Sequence, residues 1–300
     1  MPWRQHSFVA FLTLLLGGLL LSACEREQQL DLGKDTEFPA MWEITDQEGT
    51  VEGWLFGTIH ALPDGAKWRS PRFQAISEGA DMLVVEVSGL GNGDAISKIF
   101  NDLAFDNPPV PLADRITPAH RPQFDALLVK SKVRSDYFDG MESWAAALAL
   151  AQVAQTGSAE NGVDRALLGD FADREIIELE GAQAQLAIFD SLPEKEQRDL
   201  INAVLEESTA YEKDQGILAR TWKRGDIAQL EKLTQRGILA DPELKQALLI
   251  NRNEAWAAQV ENLLSAEAKP LIAVGAGHLL GERSLPKLLE ERGYAVRRIQ

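Results

Sequence analysis

The sequence predicts an α/β protein: a mixed β-sheet built from N-terminal and C-terminal strands, with flanking helices and a large helical insertion. Three observations predict this fold class. Apolar runs typical of buried strands occur before residue 90 and after residue 270. The region between about residues 94 and 265 has a largely helical pattern. The chain also ends in the order strand, helix, strand, which is typical of α/β proteins.

The first strands are predicted near residue 40. The segment MWEITDQEGTVEGWLFGT, which begins at Met41, contains two strand-like runs around the turn Gln47-Glu48-Gly49. Its turn chemistry predicts a hairpin. Residues 70–80 have a helical pattern, and DMLVVEV at 81–87 is apolar enough for a buried strand.

The middle and the end of the chain complete the pattern. MESWAAALALAQVAQ and RNEAWAAQVENLL are predicted helices by propensity and periodicity, and the strand-like EIIELE at 175–180 interrupts the helical region. The strand LIAVGA, the helix SLPKLLEERG and the strand YAVRRI follow, with Gly293 as the helix stop. Ligands of such folds gather at the carboxyl ends of strands.

Composition excludes some partners. The chain has 300 residues and a net charge of −16. A nucleic-acid partner is not expected, because neutralising phosphates requires a basic face. The same acidity argues against a purely electrostatic attachment to anionic membranes.

The N-terminus has the pattern of an export signal. The apolar stretch at 8–21 has the length of a signal peptide and is short for a transmembrane helix. It ends in Leu21-Ser22-Ala23-Cys24, and Cys24 is the only cysteine. A plain secretory signal is the alternative reading. We predict a lipoprotein signal peptide at 1–23, a flexible tether at 24–39 and one folded domain at 40–300.

Residues 21–24 resemble the bacterial lipobox, in which the cysteine is acylated and becomes the mature N-terminus. That resemblance implies a lipid-anchored protein of the bacterial cell envelope, because several acyl chains hold a protein firmly on a membrane. Glu25 after the cysteine favours the outer membrane, with the domain facing the periplasm.

Two histidines repeat one arrangement. Gly57 and Gly275 each end a predicted strand, and His60 and His278 follow three residues later. Glycine at such a position permits a tight turn or a close backbone approach. Each histidine alone could be a hydrogen-bonded structural residue. Two imidazoles with one carboxylate would suit a divalent transition metal with open positions for water.

The carboxylate of that set is Glu86, in the apolar run LVVEV. A buried carboxylate needs a partner, because desolvating the ion costs several kcal/mol, on the order of 5. It could instead face solvent from the sheet. The functional alternative makes it a metal ligand or a general base. His6 lies in the predicted signal peptide, and His120 is expected to face solvent at the start of a helix.

From about Trp42 to the C-terminus the chain resembles the TraB/GumN/PrgY family, which is related to the Tiki proteases of animals. The resemblance rests on WLFGTIH, LVVEV, ENGVDRALL, IIELEGAQAQLAIFDSL, Arg252-Asn253 and AVGAGHLLGERSLPKLLEERGYAVRRI. It implies a metal-dependent peptidase site formed by His60, Glu86 and His278. A wider similarity to ChaN-like haem-binding lipoproteins and erythromycin esterases means that the scaffold alone does not determine a reaction.

Four further matched residues are candidates for the same site. Asp164 could lie near the metal or could only cap a helix. Glu180 could orient a metal-binding histidine by a hydrogen bond, without itself contacting the metal, and Asn253 is a further candidate of this kind. Arg252 could stabilise an oxyanion as a catalytic residue or could cap the preceding helix.

Two functions from different classes remain open. One is an envelope-anchored hydrolase, most simply a peptidase, that uses Mn, Co or Zn, with Glu86 and Arg252 as catalytic residues and a peptide or protein substrate. The other is a non-enzymatic lipoprotein that binds haem, metal or a signal peptide in the same cleft. The chain lacks the His-Glu-x-x-His motif, so a metallopeptidase of the thermolysin type is excluded.

Overall fold

A computed structural model describes residues 34, 36–105, 110–155, 157–214 and 216–300. The side chains of 135 and 210–213 are not among the described parts. Cys24, the predicted signal peptide and most of the predicted tether also lie outside them. Within the described residues no helix is long and apolar enough to cross a membrane.

Six strands form one sheet, as the sequence predicts. The strands are β1 (Met41–Thr45), β2 (Val51–Thr58), β3 (Met82–Val85), β4 (Glu175–Glu178), β5 (Pro270–Gly275) and β6 (Ala295–Arg298). Their order across the sheet is β4-β3-β5-β2-β1-β6. Strands from the two ends of the chain are therefore neighbours, which confirms the predicted fold class.

The sheet is mixed. Strands β4, β3, β5 and β2 pair in parallel, whereas β1 is antiparallel to both β2 and β6. The predicted hairpin is the β1–β2 pair. Because four neighbouring strands run in the same direction, their carboxyl ends lie along one edge of the sheet, where the candidate residues follow them.

Helices and the loops between them make up the rest of the described chain. They are α1 (Pro71–Gly79), α2 (Gly93–Leu103), α3 (Leu112–Arg115), α4 (Arg121–Ser131), α5 (Ser143–Ala154), α6 (Val163–Asp170), α7 (Ala182–Asp190), α8 (Glu194–Lys213), α9 (Ile217–Lys223), α10 (Ile227–Thr234), α11 (Pro242–Lys245), α12 (Asn251–Leu264) and α13 (Leu285–Glu291). A π-helical turn, Gln246–Ile250, joins α11 to α12. Short 3₁₀ turns connect several of the others.

Both faces of the sheet are covered by helices. Side chains of a strand alternate between faces. Phe56 of β2 accordingly packs in one cluster with Phe73 of α1 and Trp222 of α9, whereas its neighbour Leu55 packs in another with Trp256 of α12. The near-continuous apolar runs of β3 and β5 are explained by burial on both faces.

The helical insertion has a core of its own. A third cluster gathers buried side chains from residues 104–154, 192–205 and 244–248, including Trp144 of α5 and Leu200 of α8. Leu186 and Phe189 of α7, the helix that follows β4, pack against it. Through α7 the insertion therefore continues directly into the sheet.

The structure adds two details to the sequence-based expectation. Strand β3 ends at Val85, so Glu86 is the first residue after the strand and not a residue within it. The last residues of the predicted tether contact the domain: Lys223 Nζ donates to the Lys34 carbonyl at 2.9 Å, and Gln300 Nε2 donates to the Pro39 carbonyl at 2.8 Å. Domain contacts therefore begin before residue 40.

Candidate functional site

The predicted site residues follow the carboxyl ends of the four parallel strands. His60 follows β2, Glu86 follows β3, Glu180 follows β4 and His278 follows β5. The parallel register pairs Thr58 of β2 with Gly275 of β5. The two Gly-x-x-His segments therefore leave the sheet side by side.

The glycines of these two segments allow close packing. A Cβ atom on Gly57 would lie 3.1 Å from Ala276 Cα, and one on Gly275 would lie 3.2 Å from Glu86 Oε1. The Gly275 amide donates to that same oxygen at 2.7 Å. The close backbone approach expected from the sequence is thus present in both segments.

His60 is held by a carboxylate from α6. Its Nδ1 donates to Asp164 Oδ2 at 3.0 Å, and Thr58 Oγ1 donates to Asp164 Oδ1 at 2.6 Å. Gly162, not Asp164, is the N-cap residue of α6. Asp164 therefore orients His60 by a direct hydrogen bond instead of capping the helix.

The backbone around His60 explains this alignment. The Val163 amide donates to the Ile59 carbonyl at 3.0 Å, and Leu62 forms an isolated antiparallel bridge with Ser158. A Cβ on Gly162 would lie only 2.5 Å from the His60 carbonyl oxygen. The start of α6 is therefore pressed against the loop after β2, which brings Asp164 to His60.

This hydrogen bond changes both ionisation equilibria. It raises the pKa of His60 to about 9, with a further contribution from the negative charge of Asp164. Burial would raise the pKa of Asp164, but His60 and Thr58 outweigh burial and lower it. Because 71% of the His60 side chain is exposed, water screens part of the attraction.

Glu86 is buried and its oxygens accept several hydrogen bonds. Oε1 accepts from the Gly275 amide at 2.7 Å, and Oε2 accepts from Gln185 Nε2 at 3.0 Å and Arg252 Nη2 at 2.6 Å. Burial would raise the pKa of this carboxyl, but the positive charge of Arg252, the hydrogen bond from the Gly275 amide and the positive charge of His60 lower it. Glu86 therefore has the partners that a buried carboxylate requires.

His278 is the buried histidine of the pair, with 7% of its side chain exposed. Its Nδ1 lies 2.6 Å from Asn253 Oδ1, and its Nε2 lies 3.2 Å from Arg252 Nη1. Arginine can only donate, so Nε2 is the acceptor and Nδ1 carries the proton. Asn253 Nδ2 donates to the Arg283 carbonyl at 2.8 Å, which orients the amide with its oxygen toward His278.

Burial keeps His278 neutral. Desolvation lowers its pKa to about 3, and the positive charge of Arg252 acts in the same direction. The ring also packs on Trp256, with 4.4 Å between ring centroids. A neutral imidazole with a fixed tautomer is the form that can bind a metal.

Arg252 connects the carboxylates at the ends of β3 and β4. Nε and Nη2 donate to the two oxygens of Glu180 at 2.8 and 2.9 Å, and Nη2 also donates to Glu86. Nη1 donates to the Leu248 carbonyl at 3.0 Å and to His278 Nε2. All five N–H groups of this guanidinium therefore have an acceptor within the protein.

The structure brings the predicted site residues into one region. The charges of His60 and Glu86 influence each other's pKa, and both influence the pKa of His278. Within the described ranges, however, no three or more His, Cys, Asp or Glu side chains are spaced to hold one metal ion. The ligand role of His60, Glu86 and His278 stays a prediction.

Sequence reasoning overlooked two residues of the site. Thr58 fixes the far oxygen of Asp164, and Gln185 of α7 bonds Glu86. Neither has a distinctive signal in a single sequence, since threonine is common in strands and glutamine in helices. His120 lies away from the site, in contact with Thr117 and Asn202.

Comparison of the sequence with models of protein families identifies its family. The model of the TraB/PrgY/gumN family matches residues 40–298, from β1 to the last residue of β6. The chain belongs to this family. The TraB/PrgY/gumN match thus includes each of the residues that line the ends of the four parallel strands.

Two curated proteins are similar over most of their lengths. The uncharacterized protein YbaP of Shigella flexneri is 26% identical over 248 residues, which cover 80% of this chain and 89% of that protein. The uncharacterized protein YbaP of Escherichia coli K12 is 26% identical over 242 residues, which cover 78% and 86%. No solved structure matches the chain.

Proposed function

We propose that this TraB-family protein is a metal-dependent hydrolase with its site at the carboxyl ends of the parallel strands. One observation carries the proposal. Each histidine has its Nδ1 engaged by an oxygen, Asp164 Oδ2 for His60 and Asn253 Oδ1 for His278. Metal-binding histidines are commonly oriented in this way, with Nε2 as the atom that is left for the metal.

The negative charge of the region favours the binding of a cation. Glu86, Glu180 and Asp164 have side chains only 10, 11 and 12% exposed. Against these three negative charges stand Arg252 and, near neutral pH, the protonated His60 with its pKa of about 9, so one negative charge is in excess. Buried charge that is not balanced is costly, so a divalent cation would offset the excess.

The donor set suits a transition metal. His60 and His278 would bind through nitrogen and Glu86 through oxygen, a combination compatible with Mn, Co or Zn. Such a metal supplies Lewis acidity and lowers the pKa of water. Glu86, where it does not bind the metal, would accept a proton, and Arg252 would stabilise negative charge once one of its present partners has moved. The resemblance to Tiki proteases favours a peptide or protein substrate.

The test is metal analysis of the purified protein after dialysis against Zn²⁺, Mn²⁺ or Co²⁺. About one equivalent per chain is expected, and His60→Ala and His278→Ala should lose it. His120→Ala is the matched control, because His120 lies outside the site and should leave the metal content unchanged. A wild-type protein without stoichiometric metal would refute the proposal.

A second candidate function follows from Arg252. Because all five of its N–H groups are engaged and one of them contacts His278 Nε2, the site in this arrangement has no open position at that nitrogen. This favours a non-enzymatic protein that binds haem, metal or a signal peptide in the same cleft, because binding, unlike metal-dependent hydrolysis, does not require an open position at that nitrogen. A peptide-library cleavage assay with and without chelator separates the two, since only the hydrolase should show chelator-sensitive cleavage.

We further propose that the protein is anchored to the bacterial outer membrane through an acylated Cys24, facing the periplasm. The support is the apolar segment that ends in Leu21-Ser22-Ala23-Cys24. Cell fractionation of Cys24→Ser is the test. The variant should leave the membrane pellet, and retention at the wild-type level would contradict lipid anchoring.

A further inference from the structure

We propose that Arg252 is an internal competitor of the metal: its guanidinium occupies the ligand atoms of Glu86 and His278, and a divalent cation must displace it. The inference rests on the proposed function and concerns the regulation of that site. It assigns Arg252 the task of keeping two buried ligands neutralised and ordered until the metal binds.

Competition at His278 follows from its tautomer. The proton on Nδ1 is committed to Asn253 Oδ1 at 2.6 Å, so Nε2 has a single lone pair. That lone pair now accepts from Arg252 Nη1 at 3.2 Å. One lone pair cannot accept a hydrogen bond and bind a metal together. Metal binding at Nε2 therefore requires Nη1 to leave.

Competition at Glu86 is electrostatic. Arg252 Nη2 lies 2.6 Å from Glu86 Oε2, and the two side chains are 11 and 10% exposed. In so little water, the repulsion between a guanidinium and a divalent cation on the same carboxylate is weakly screened. Each bound cation therefore lowers the affinity of Glu86 for the other.

Glu180 provides a place for the displaced guanidinium. It binds the Nε and Nη2 edge of Arg252 through both carboxylate oxygens, a paired geometry that fixes a guanidinium firmly. These two bonds involve neither Glu86 nor His278. To leave both ligands while it keeps these bonds, the planar guanidinium has to move together with the Glu180 carboxylate as one unit.

The decisive measurement is the affinity for Zn²⁺ alone, by isothermal titration of wild type, Arg252→Gln and Arg252→Lys. Removing the competing charge should tighten Zn²⁺ binding by about tenfold or more in Arg252→Gln. Arg252→Lys keeps the charge but loses the bidentate geometry, so its Zn²⁺ affinity should lie between those of wild type and Arg252→Gln. Arg134→Gln is the matched control, because Arg134 pairs with Asp136 at the surface, away from the site, and should leave Zn²⁺ affinity unchanged.

A second measurement does not depend on the folding of a variant. In wild-type protein with ¹⁵N-labelled arginine side chains, Zn²⁺ should shift the Nη1 signal of Arg252 and leave its Nε signal, which stays on Glu180. Weaker or unchanged Zn²⁺ binding by Arg252→Gln, or an Nη1 signal that Zn²⁺ does not move, would overturn this inference but leave the proposed metal site standing. If neither wild type nor Arg252→Gln binds Zn²⁺, the inference and the proposed metal site are both wrong.

Discussion

His60 and Asp164 are 104 positions apart in the chain, yet His60 Nδ1 and Asp164 Oδ2 are 3.0 Å apart. His60 follows β2, and Asp164 lies in α6, the helix that precedes β4. Their hydrogen bond therefore joins the N-terminal part of the sheet to the end of the helical insertion. It also leaves most of the imidazole exposed.

The first prediction concerns this bond. In Asp164→Asn the pKa of His60 should fall from about 9 toward its ordinary value of 6.5, because the hydrogen bond to a carboxylate is the largest cause of the increase. An NMR titration of the His60 ring signals measures it. Asp170→Asn is the control, since Asp170 lies on the same helix but pairs with Arg69. A His60 pKa that stays near 9 in Asp164→Asn would refute the assignment.

The second prediction is that the contributions of His278 and His60 to folding stability depend on pH with opposite signs. The folded-state pKa of His278 is lowered to about 3, so the unfolded state binds more protons below pH 6.5. The stability advantage of wild type over His278→Gln should be full above about pH 6.5 and shrink by a few kcal/mol, roughly 1 to 4, as pH falls toward 3.

His60 should behave in the reverse way, because its folded-state pKa is raised to about 9. The advantage of wild type over His60→Gln should be full below pH 6.5 and disappear as pH rises through about 9. Urea unfolding of both variants between about pH 4 and pH 10 makes the comparison. Parallel trends for the two variants would show that the contrast between buried and carboxylate-bound histidine is wrong.

The third prediction concerns the close contact behind His60. Gly162→Ala places a Cβ 2.5 Å from the His60 carbonyl, so the α6 start must move and the protein should lose about 1 to 3 kcal/mol of stability. The shift should also weaken the bond between His60 and Asp164 and lower the His60 pKa.

Gly169→Ala is the matched control for that variant. Gly169 lies in the same helix, and nothing is within 4 Å of an added Cβ. Alanine there should be neutral or stabilising by up to about 1 kcal/mol, because it favours the helix over glycine. Equal stability of Gly162→Ala and wild type in urea unfolding would contradict the close contact.

The fold was largely predictable because its signals are local. The apolar runs that became β2, β3 and β5, the hairpin turn and the helices around Trp144 and Trp256 follow from periodicity and turn chemistry. Boundaries were less predictable. Hydrophobicity does not mark where hydrogen bonding stops, so the run at 81–87 did not show that Glu86 lies beyond the strand end.

The site was predictable only in part, for a physical reason. His60, Glu86 and His278 could be grouped because each stands near the end of a strand and parallel strands end at one edge. Which group binds which nitrogen depends on the packing of loops. The contact between Arg252 and His278, and the bonds of Thr58 and Gln185, come from elements that are distant in the chain.

The fourth prediction concerns the cooperativity of the domain. The helical insertion has its own apolar core, but the chain enters it after β3, returns to the sheet at β4 and leaves again through α7. Gln185 of α7 also donates to Glu86 beside the sheet. The insertion and the sheet should therefore unfold together.

The variant Leu200→Ala tests this, because Leu200 is fully buried in the core of the insertion. It should lose about 2 to 5 kcal/mol by creating a cavity. Urea unfolding is followed by circular dichroism and by tryptophan fluorescence. Trp144 reports the insertion, and Trp68, Trp222 and Trp256 report the sheet. Both signals should show a single transition, with the same midpoint at a lower urea concentration than in wild type. Ala219→Gly in α9, which packs against the sheet, is the control. It should lower the free energy of unfolding by about 1 kcal/mol, equally by both signals. If the insertion were a separate folding unit, Leu200→Ala would split the transition in two, and the step that reports the sheet would keep its wild-type midpoint.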